Sequence, residues 1–356
     1  MGDFRLLVVN PGSTSTKAAV FDGDEQVHNV VLRHTPAELS AYADILEQHQ
    51  FRKAAILGIL DELGEDRTAY AAVVGRGGLC KPIAGGVYVI NELMLEDLRH
   101  SALGKHASSL AGLIAHELAM ELNIPAYIVD PVVVDELEPV ARVSGLPEIA
   151  RKSLFHALNQ KAAARKAAAV IGRPYEELNL IVAHLGGGIT VGAHRRGRVI
   201  DVNNGLEEGP FSPERTGSLP VGDLVRLCFS GKYTEAELLR RLAGRGGLVA
   251  YLCTNDGQAI EAMIAQGNEE AELFYHAMAY QVAKEIGADA AVLGGRVDAV
   301  VFTGGLAASR LFIGWIGELV SFLAPIHVFP GEFEMEALAA GALRVLRGQE
   351  KAKIYR

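Results

Sequence analysis

Short apolar runs and alternating stretches, broken by small polar loops, begin almost at once. Leu6 to Val9 is an apolar run that ends at Asn10. A loop of small residues follows, Pro11-Gly12-Ser13-Thr14-Ser15-Thr16, and Lys17 to Phe21 reads as a second strand. Asp22-Gly23-Asp24 is a turn signal, and Gln26 to Leu32 is a third strand, so the chain opens on a β-meander. A similar pattern returns later. Leu180 to Ala183 ends at His184, and Leu185-Gly186-Gly187-Gly188-Ile189-Thr190 follows. Val191 to His194, a turn at Arg196-Gly197 and a strand from Arg198 to Val202 complete it. An offset of 174 residues without gaps lays Leu6 on Leu180, Asn10 on His184, Gly12 on Gly186, Thr16 on Thr190 and Gly23 on Gly197. This predicts two halves of one architecture, each opening with a glycine-turned hairpin.

Between the meanders, Val87 to Ile90 and Ala126 to Val129 read as strands. His106 to Leu122 reads as a helix stopped by Asn123-Ile124-Pro125. Leu154 to Ile171 is an alanine-rich helix expected to bridge the halves, and its Lys161, Arg165 and Lys166 are expected to form a solvated face. Ala299 to Thr303 is a buried-type strand running into Gly304-Gly305, and Glu334 to Arg347 is an amphipathic helix. Meanders followed by strand–helix alternation predict an α/β fold with helices on mixed sheets. At 356 residues, two domains are expected.

Composition narrows the function classes. Hydrophobic residues at 49% and charged residues at 22% exclude a disordered or fibrous chain. The net charge of −9 removes any global attraction to nucleic acid or anionic membranes. Cys80, Cys228 and Cys253 are too dispersed for a disulfide framework or a metal–thiolate site, which suits a reduced cytoplasmic setting. The first residues lack a signal-peptide pattern, and no apolar run reaches the 18 residues of a membrane span. His116-Glu117 lacks the second histidine of a zinc-protease helix.

The first hairpin loop carries the strongest chemical signal. In Asn10-Pro11-Gly12-Ser13-Thr14-Ser15-Thr16-Lys17, Gly12 admits a close approach to the backbone, Ser13 and Ser15 offer hydroxyls, and Lys17 supplies a point charge. Such a turn suits a polyphosphate, although the order is not that of a Walker A loop. The plainer alternative is a polar turn with a solvated lysine. The second loop, with Gly186, Gly187 and Gly188 in a row, is a poor strand former unless something must approach its backbone.

Taken together these segments resemble the acetate and butyrate kinase family within the actin, sugar kinase and Hsp70 superfamily. Asn10-x-Gly12-Ser13-x-Ser15-x-Lys17 is similar to the family's first phosphate motif, and Asn10 stands where sugar kinases and Hsp70 carry Asp. Ala183-His184-Leu185-Gly186-Gly187-Gly188 is similar to the second phosphate motif. Val301-Phe302-Thr303-Gly304-Gly305-Leu306-Ala307 is similar to the adenosine motif. The resemblance implies two duplicated ribonuclease H-like, actin-like ATPase domains with an interdomain ATP cleft. Residues 1–150 with the C-terminal helix 335–356 would form the acyl-kinase domain, and 151–334 the nucleotide-binding domain.

The resemblance also implies roles. Arg76, in Val74-Gly75-Arg76-Gly77-Gly78, and Arg215, in Pro213-Glu214-Arg215-Thr216-Gly217, would flank the carboxylate and the transferring phosphoryl group. Planar donors on both sides suit charge spread over equatorial oxygens; a surface ion pair is the alternative for each. His156, His184 and His106 would be positioning hydrogen-bond donors rather than phosphorylated intermediates. Asp130 would hold Mg²⁺ or its waters, with Glu334 as a second acid; the choice among Glu332, Glu334 and Glu336 stays open, and helix-start acids are the alternative. Asp256, Gly304, Gly305 and Ala307 would contact adenosine.

The implied activity is the reversible phosphorylation of butanoate by ATP, giving ADP and the acyl phosphate. Branched short-chain acids are further substrates, and an acetate or propionate kinase or a non-catalytic nucleotide switch are the alternatives. The resemblance also implies a homo-oligomer, a dimer or larger. Gly78 and Gly187 are smaller than their acetate-kinase counterparts, which predicts a roomier pocket walled by Phe155, Val132 and Pro210, with His106 beside it. On this reading Gly78→Val should shift preference toward acetate. Each added CH₂ contributes about 0.8 kcal/mol when buried, so discrimination by size stays modest.

Overall fold

A computed structural model describes residues 4–100 and 107–356. The chain forms two compact units: one runs to Val134 and resumes at Phe333, the other spans Asp135–Glu332. In chain order the first unit contributes β1 (Arg5–Pro11), β2 (Ser15–Asp22), β3 (Glu25–Arg33), α1 (Pro36–Ser40), α2 (His49–Glu62) and β4 (Tyr70–Gly75). It continues with β5 (Val87–Val89), α3 (Glu92–His100), α4 (Ser109–Leu122) and β6 (Ala126–Val129). The second unit holds α5 (Ala157–Ile171), β7 (Asn179–Leu185), β8 (Ile189–Arg195), β9 (Arg198–Val202), α6 (Val221–Cys228), α7 (Glu235–Leu242) and α8 (Gly247–Leu252). After these come α9 (Gly257–Ala265), α10 (Glu269–Val292), β10 (Ala299–Gly304), α11 (Arg310–Val320) and β11 (Ile326–Pro330). The chain then returns to the first unit with α12 (Glu334–Leu346) and β12 (Lys353–Ile354).

The two sheets share a plan. The first has strand order β12-β5-β6-β4-β1-β2-β3 and the second β11-β10-β7-β8-β9. In each, three meandering antiparallel strands are extended by two parallel ones: β4 and β6 beyond β1, and β10 and β11 beyond β7. The gapless offset fails inside the first loop. Asn10 pairs with Lys17 but His184 pairs with Thr190, because the second hairpin is one residue shorter. Beyond the loop the offset is 173, so Lys17, not Thr16, corresponds to Thr190, and Gly23 falls on Arg196. Both meanders carry a bulge at the position this shifted offset predicts, between Val20 and Phe21 and between Ala193 and His194.

Successive strand residues face opposite layers. In the second unit Ile181, Ala183, Val300 and Phe302 pack with Tyr275, Met278 and Val282 of α10, while Leu180, Val182 and Val301 pack with Ala163, Ala164 and Ala167 of α5. Small alanines let α5 lie close on the sheet, and this helix belongs wholly to the second unit rather than bridging two. In the first unit Leu7, Val9, Val73 and Ile128 face α2 and α4, and Gly341 of α12 lies against Val129 on the opposite face.

The family resemblance implies a domain boundary at residue 150, whereas the compact units divide after Val134. Residues from 135 onward are held by the second unit: the Glu138 amide donates to Ile200 at 2.9 Å, and Glu136 pairs with Lys161 at 2.9 Å. Lys161 is 3% exposed, so it is a buried ion-pair partner and not part of a solvated face. Cys80, Cys228 and Cys253 are free thiols. No helix among the described residues is long and apolar enough to cross a membrane.

Candidate active site

In the first unit several candidate residues gather where parallel strands end. Asn10 and Lys17 are cross-strand partners at the mouth of the first hairpin, and Arg76 follows the last residue of the neighbouring β4. All three meet the carboxylate of Glu334, the first residue of α12. Asn10 Nδ2 donates to Oε2 at 2.7 Å, Lys17 Nζ stands 3.9 Å from the same oxygen, and Arg76 Nη1 ion-pairs with Oε1. The Glu334 side chain is 12% exposed, whereas Arg76 and Lys17 keep 37% and 41%, so the cations remain open to solvent. Glu332 and Glu336 are exposed and make none of these contacts.

Asp130, at the end of β6, is buried with φ at 38°. Its Oδ1 accepts the Gly86 amide at 2.6 Å, which fixes this left-handed corner. Gly78 is buried against α4, where a Cβ would fall on the Ser109 backbone. Its lack of a side chain is therefore a packing requirement, and the expected role as room for substrate is corrected accordingly. Val132 is partly buried against the first unit's core. His106 lies outside the described residues.

The first hairpin loop is held from behind by Arg52 of α2, which the sequence reading missed. Its Nη1 donates to the carbonyls of Gly12 and Ser15, both at 2.8 Å, and its Nη2 to that of Ser13 at 3.0 Å. The Thr14 carbonyl is taken by the His34 amide at 2.9 Å. With these carbonyls turned inward, planar trans peptides turn the amides of Ser13 and Thr14 the other way, and both residues are exposed. Nothing local in the sequence marks Arg52 as a partner of the turn, because its contacts there lie 36 to 40 residues away.

In the second unit His156 stacks on His184 with ring centroids 3.8 Å apart. His184 Nδ1 meets Asn159 Oδ1 at 2.8 Å, and a Cβ on Gly186 would come within 3.0 Å of His184 Nε2, so that nitrogen abuts the glycine loop. His156 Nδ1 meets Thr190 Oγ1 at 2.9 Å. Behind Thr190 runs a buried relay. Gln160 Nε2 donates to the Thr190 carbonyl and hydroxyl, and Gln160 Oε1 faces His194 Nε2 at 3.0 Å. Burial holds the His194 pKa well below the usual histidine range. The neutral ring has one N–H, which must serve the Gln160 oxygen, so the Tyr175 hydroxyl donates to His194 Nδ1 at 2.7 Å. His156, Asn159 and Gln160 stand at i, i+3 and i+4, a one-face signal in the sequence.

Arg215 is pressed into the same loop. Its Nη1 donates to the Gly205 carbonyl at 2.7 Å, and a Cβ on Gly188 would fall on its guanidinium. The segment before it is stapled to Gly187, whose carbonyl accepts from Ser212 Oγ at 2.7 Å and from the Glu214 amide at 3.2 Å. Burial lowers the pKa of Arg215, and Glu214 partly offsets this.

Beside the loop opens a cavity of about 400 Å³ lined by Gly186, Gly187, Asp256, Gln258, Gly305 and Ser309 among others. Its size suits a nucleoside. Asp256 Oδ1 caps α9 by accepting the Gln258 amide at 2.9 Å. Gly304 has φ at 91° and touches the Leu185 backbone, so any side chain there would clash. Ala307 is 3% exposed and packs in the core, so the wall is formed by Leu306 and Ala308 in its place. Phe155 and Pro210 are both buried in this unit.

This chain is 56% identical to Butyrate kinase 2 of Clostridium acetobutylicum over 354 residues, 99% of both chains. A profile described as the acetokinase family matches residues 147–313. The chain belongs to the acetokinase family. Among solved structures, Porphyromonas gingivalis acetate kinase superposes with a TM-score of 0.79 at 20% identity, covering 96% of this chain and 100% of that one. A propionate kinase from Francisella tularensis gives 0.74 at 18% identity over 95% and 98%. These likenesses establish the fold, the mixed α/β architecture with two sheets that acetokinases share.

Proposed function

We propose that this acetokinase-family chain phosphorylates a short-chain carboxylate with ATP, reversibly, and that butanoate is its principal acceptor. The observation that carries this reading is the 56% identity to Butyrate kinase 2 across 99% of both chains. The geometry supports it with cations placed for anionic ligands. Lys17 and Arg76 share a carboxylate that a phosphoryl or carboxylate group would compete for, and Arg215 lies flat against the Gly188 loop.

The acceptor carboxylate is nucleophilic as it stands, so no general base is required, and the protein's work is positioning and charge stabilisation in an in-line transfer. Asn10, Ser13, Ser15 and Lys17 would bind phosphoryl oxygens in the first unit. In the second, Gly186, Gly187 and Gly188 would let phosphates approach the backbone, with Asp256, Gly304 and Gly305 at the adenosine. Arg76 and Arg215 would orient the carboxylate and follow the transferring charge. His184 and His156 would act as oriented donors, their rings fixed by Asn159 and Thr190.

Mg²⁺ accepts one or two carboxylates together with phosphate oxygens and water. No cage of three acidic, His or Cys side chains converges among the described residues, and Glu334, whose oxygens already face cations, fits as a single protein donor, with Asp130 as a second-sphere acid. Held there, Mg²⁺ would offset the negative charge of the phosphate groups. A cytoplasmic homo-oligomer completes the proposal, and light scattering on purified protein checks the assembly.

Trapping of acyl phosphate by hydroxylamine, with ATP and Mg²⁺, tests the reading across acetate, propionate, butanoate, isobutyrate and isovalerate. The expected kcat/KM peaks at four carbons or at branched acids. A peak at acetate would overturn butanoate as acceptor, and no hydroxamate with any acid would overturn the kinase. Arg215→Ala is expected to lower kcat by about 10²–10³-fold, the usual effect of removing one transition-state donor.

A further inference from the structure

Among the described residues Arg52 is the largest fully buried side chain, at 0% exposure. All its nitrogens are bonded, to carbonyls of Gly12, Ser13 and Ser15, to Thr16 Oγ1 and twice to Gln48 Oε1. Every partner is neutral. Among the described residues no carboxylate pairs with it, and burial lowers its pKa with no acid to offset the effect. A titratable neighbour, His34, shares Thr16 Oγ1 with it and is itself held below the usual histidine range by burial and by the Arg52 charge, with Glu38 pulling the other way. A buried charge without a counter-ion is costly, and packing alone would be served better by a neutral side chain. Gln48, with its oxygen 2.8 Å from Arg52 Nη2, occupies the place where a glutamate would pair with it.

We propose that Arg52 is a positioning residue for the phosphoryl group: an uncompensated buried cation that fixes the turn from behind and whose counter-ion is the anionic ligand itself. The proposal rests on reading the turn 12–16 as a phosphate loop. It explains both halves of the arrangement. The guanidinium fork draws the carbonyls of Gly12, Ser13 and Ser15 inward, and its charge stays unspent until a phosphate arrives on the other side. A carboxylate at position 48 would satisfy the fork equally well while cancelling the charge.

Gln48→Glu therefore separates the two roles, since it keeps the shape and the bonds to Arg52. The expected result is a higher melting temperature of the ligand-free protein, a smaller upward shift on adding MgATP, and a kcat/KM for MgATP lower by about tenfold, with KM for butanoate changed by less than about twofold. Unchanged kinetics and an unchanged MgATP shift would overturn the proposal, as would a less stable or unfolded variant, because a lone guanidinium must welcome a carboxylate. Lys17→Ala is the companion measurement. If it lowers kcat/KM for MgATP while Gln48→Glu does not, Arg52 is structural only. If neither has an effect, the phosphate-loop reading itself fails.

Discussion

Glycine and arginine are coupled at residue scale. Gly188 has to lack a side chain because Arg215 lies where its Cβ would be. The obstacle is the far end of a flexible side chain, so Gly188→Ala should leave the fold intact and displace the guanidinium. The expected loss is about 100-fold in kcat/KM, with the denaturant midpoint nearly unchanged; a midpoint that falls in step with activity would speak against the displacement. Gly78 is the opposite case, because its neighbour is the Ser109 backbone. Gly78→Val should destabilise by about 1–3 kcal/mol through overpacking, seen in urea unfolding, without the clean drift toward acetate that its sequence context suggests. Asn10, Lys17 and Arg76 were legible because each sits in or beside a loop of unusual composition. Arg52 was not, because its importance is its burial and its distance in sequence from the turn it holds.

Among the elements, the repeated meander was visible in the apolar pattern, although its turn glycines Gly23 and Gly197 are one position out of step. The one-residue difference between the hairpins was not, since register depends on which amides pair across the loop. The consequence is chemical: Thr190 takes the place opposite His184 that Lys17 takes opposite Asn10, so the cross-strand partner is an ammonium in the first hairpin and a hydroxyl in the second. Helix α5 illustrates a second limit. Its basic residues Lys161, Arg165 and Lys166 read as a solvated face, yet Asn159, Gln160 and Lys161 are all buried where α5 packs on the sheet. Lys161→Ala should cost about 3–5 kcal/mol, because Glu136 would be left charged and buried. Lys161→Ala combined with Glu136→Gln should recover most of that loss in thermal unfolding; if the double variant is no better than the single, the pair is not what holds the segment after Val134.

For the molecule as a whole, a few acids lie inside: Asp130, Glu136 and Asp289 are buried among the described residues. Asp289 is 5% exposed with Oδ2 unpartnered, and it faces Glu285, Asp201 and Arg151. Burial first, then Glu285 and Asp201, raise its pKa well above the ordinary 3.8, against the pull of Arg151. A carboxyl with a raised native pKa stabilises the fold below its unfolded pKa, and that contribution is lost as pH rises through the native value. Asp289→Asn should therefore gain stability relative to the parent as pH increases from 4 to 8 in urea titrations. A gap that does not change with pH would show that Asp289 does not titrate in this range.

The division of the chain also has a temporal side. The second unit is one continuous segment, whereas the first is assembled from residues on both sides of it. During synthesis the whole of the second unit leaves the ribosome before α12 does, and domains tend to fold as they emerge. The nascent first unit must wait with one face of its sheet bare, and its cations Lys17 and Arg76 have no Glu334 to meet. A chain released after β11 but before Phe333 would thus keep the cavity of the second unit and lack a finished first unit, so termination in that window should yield a product able to hold nucleotide but unable to transfer from it.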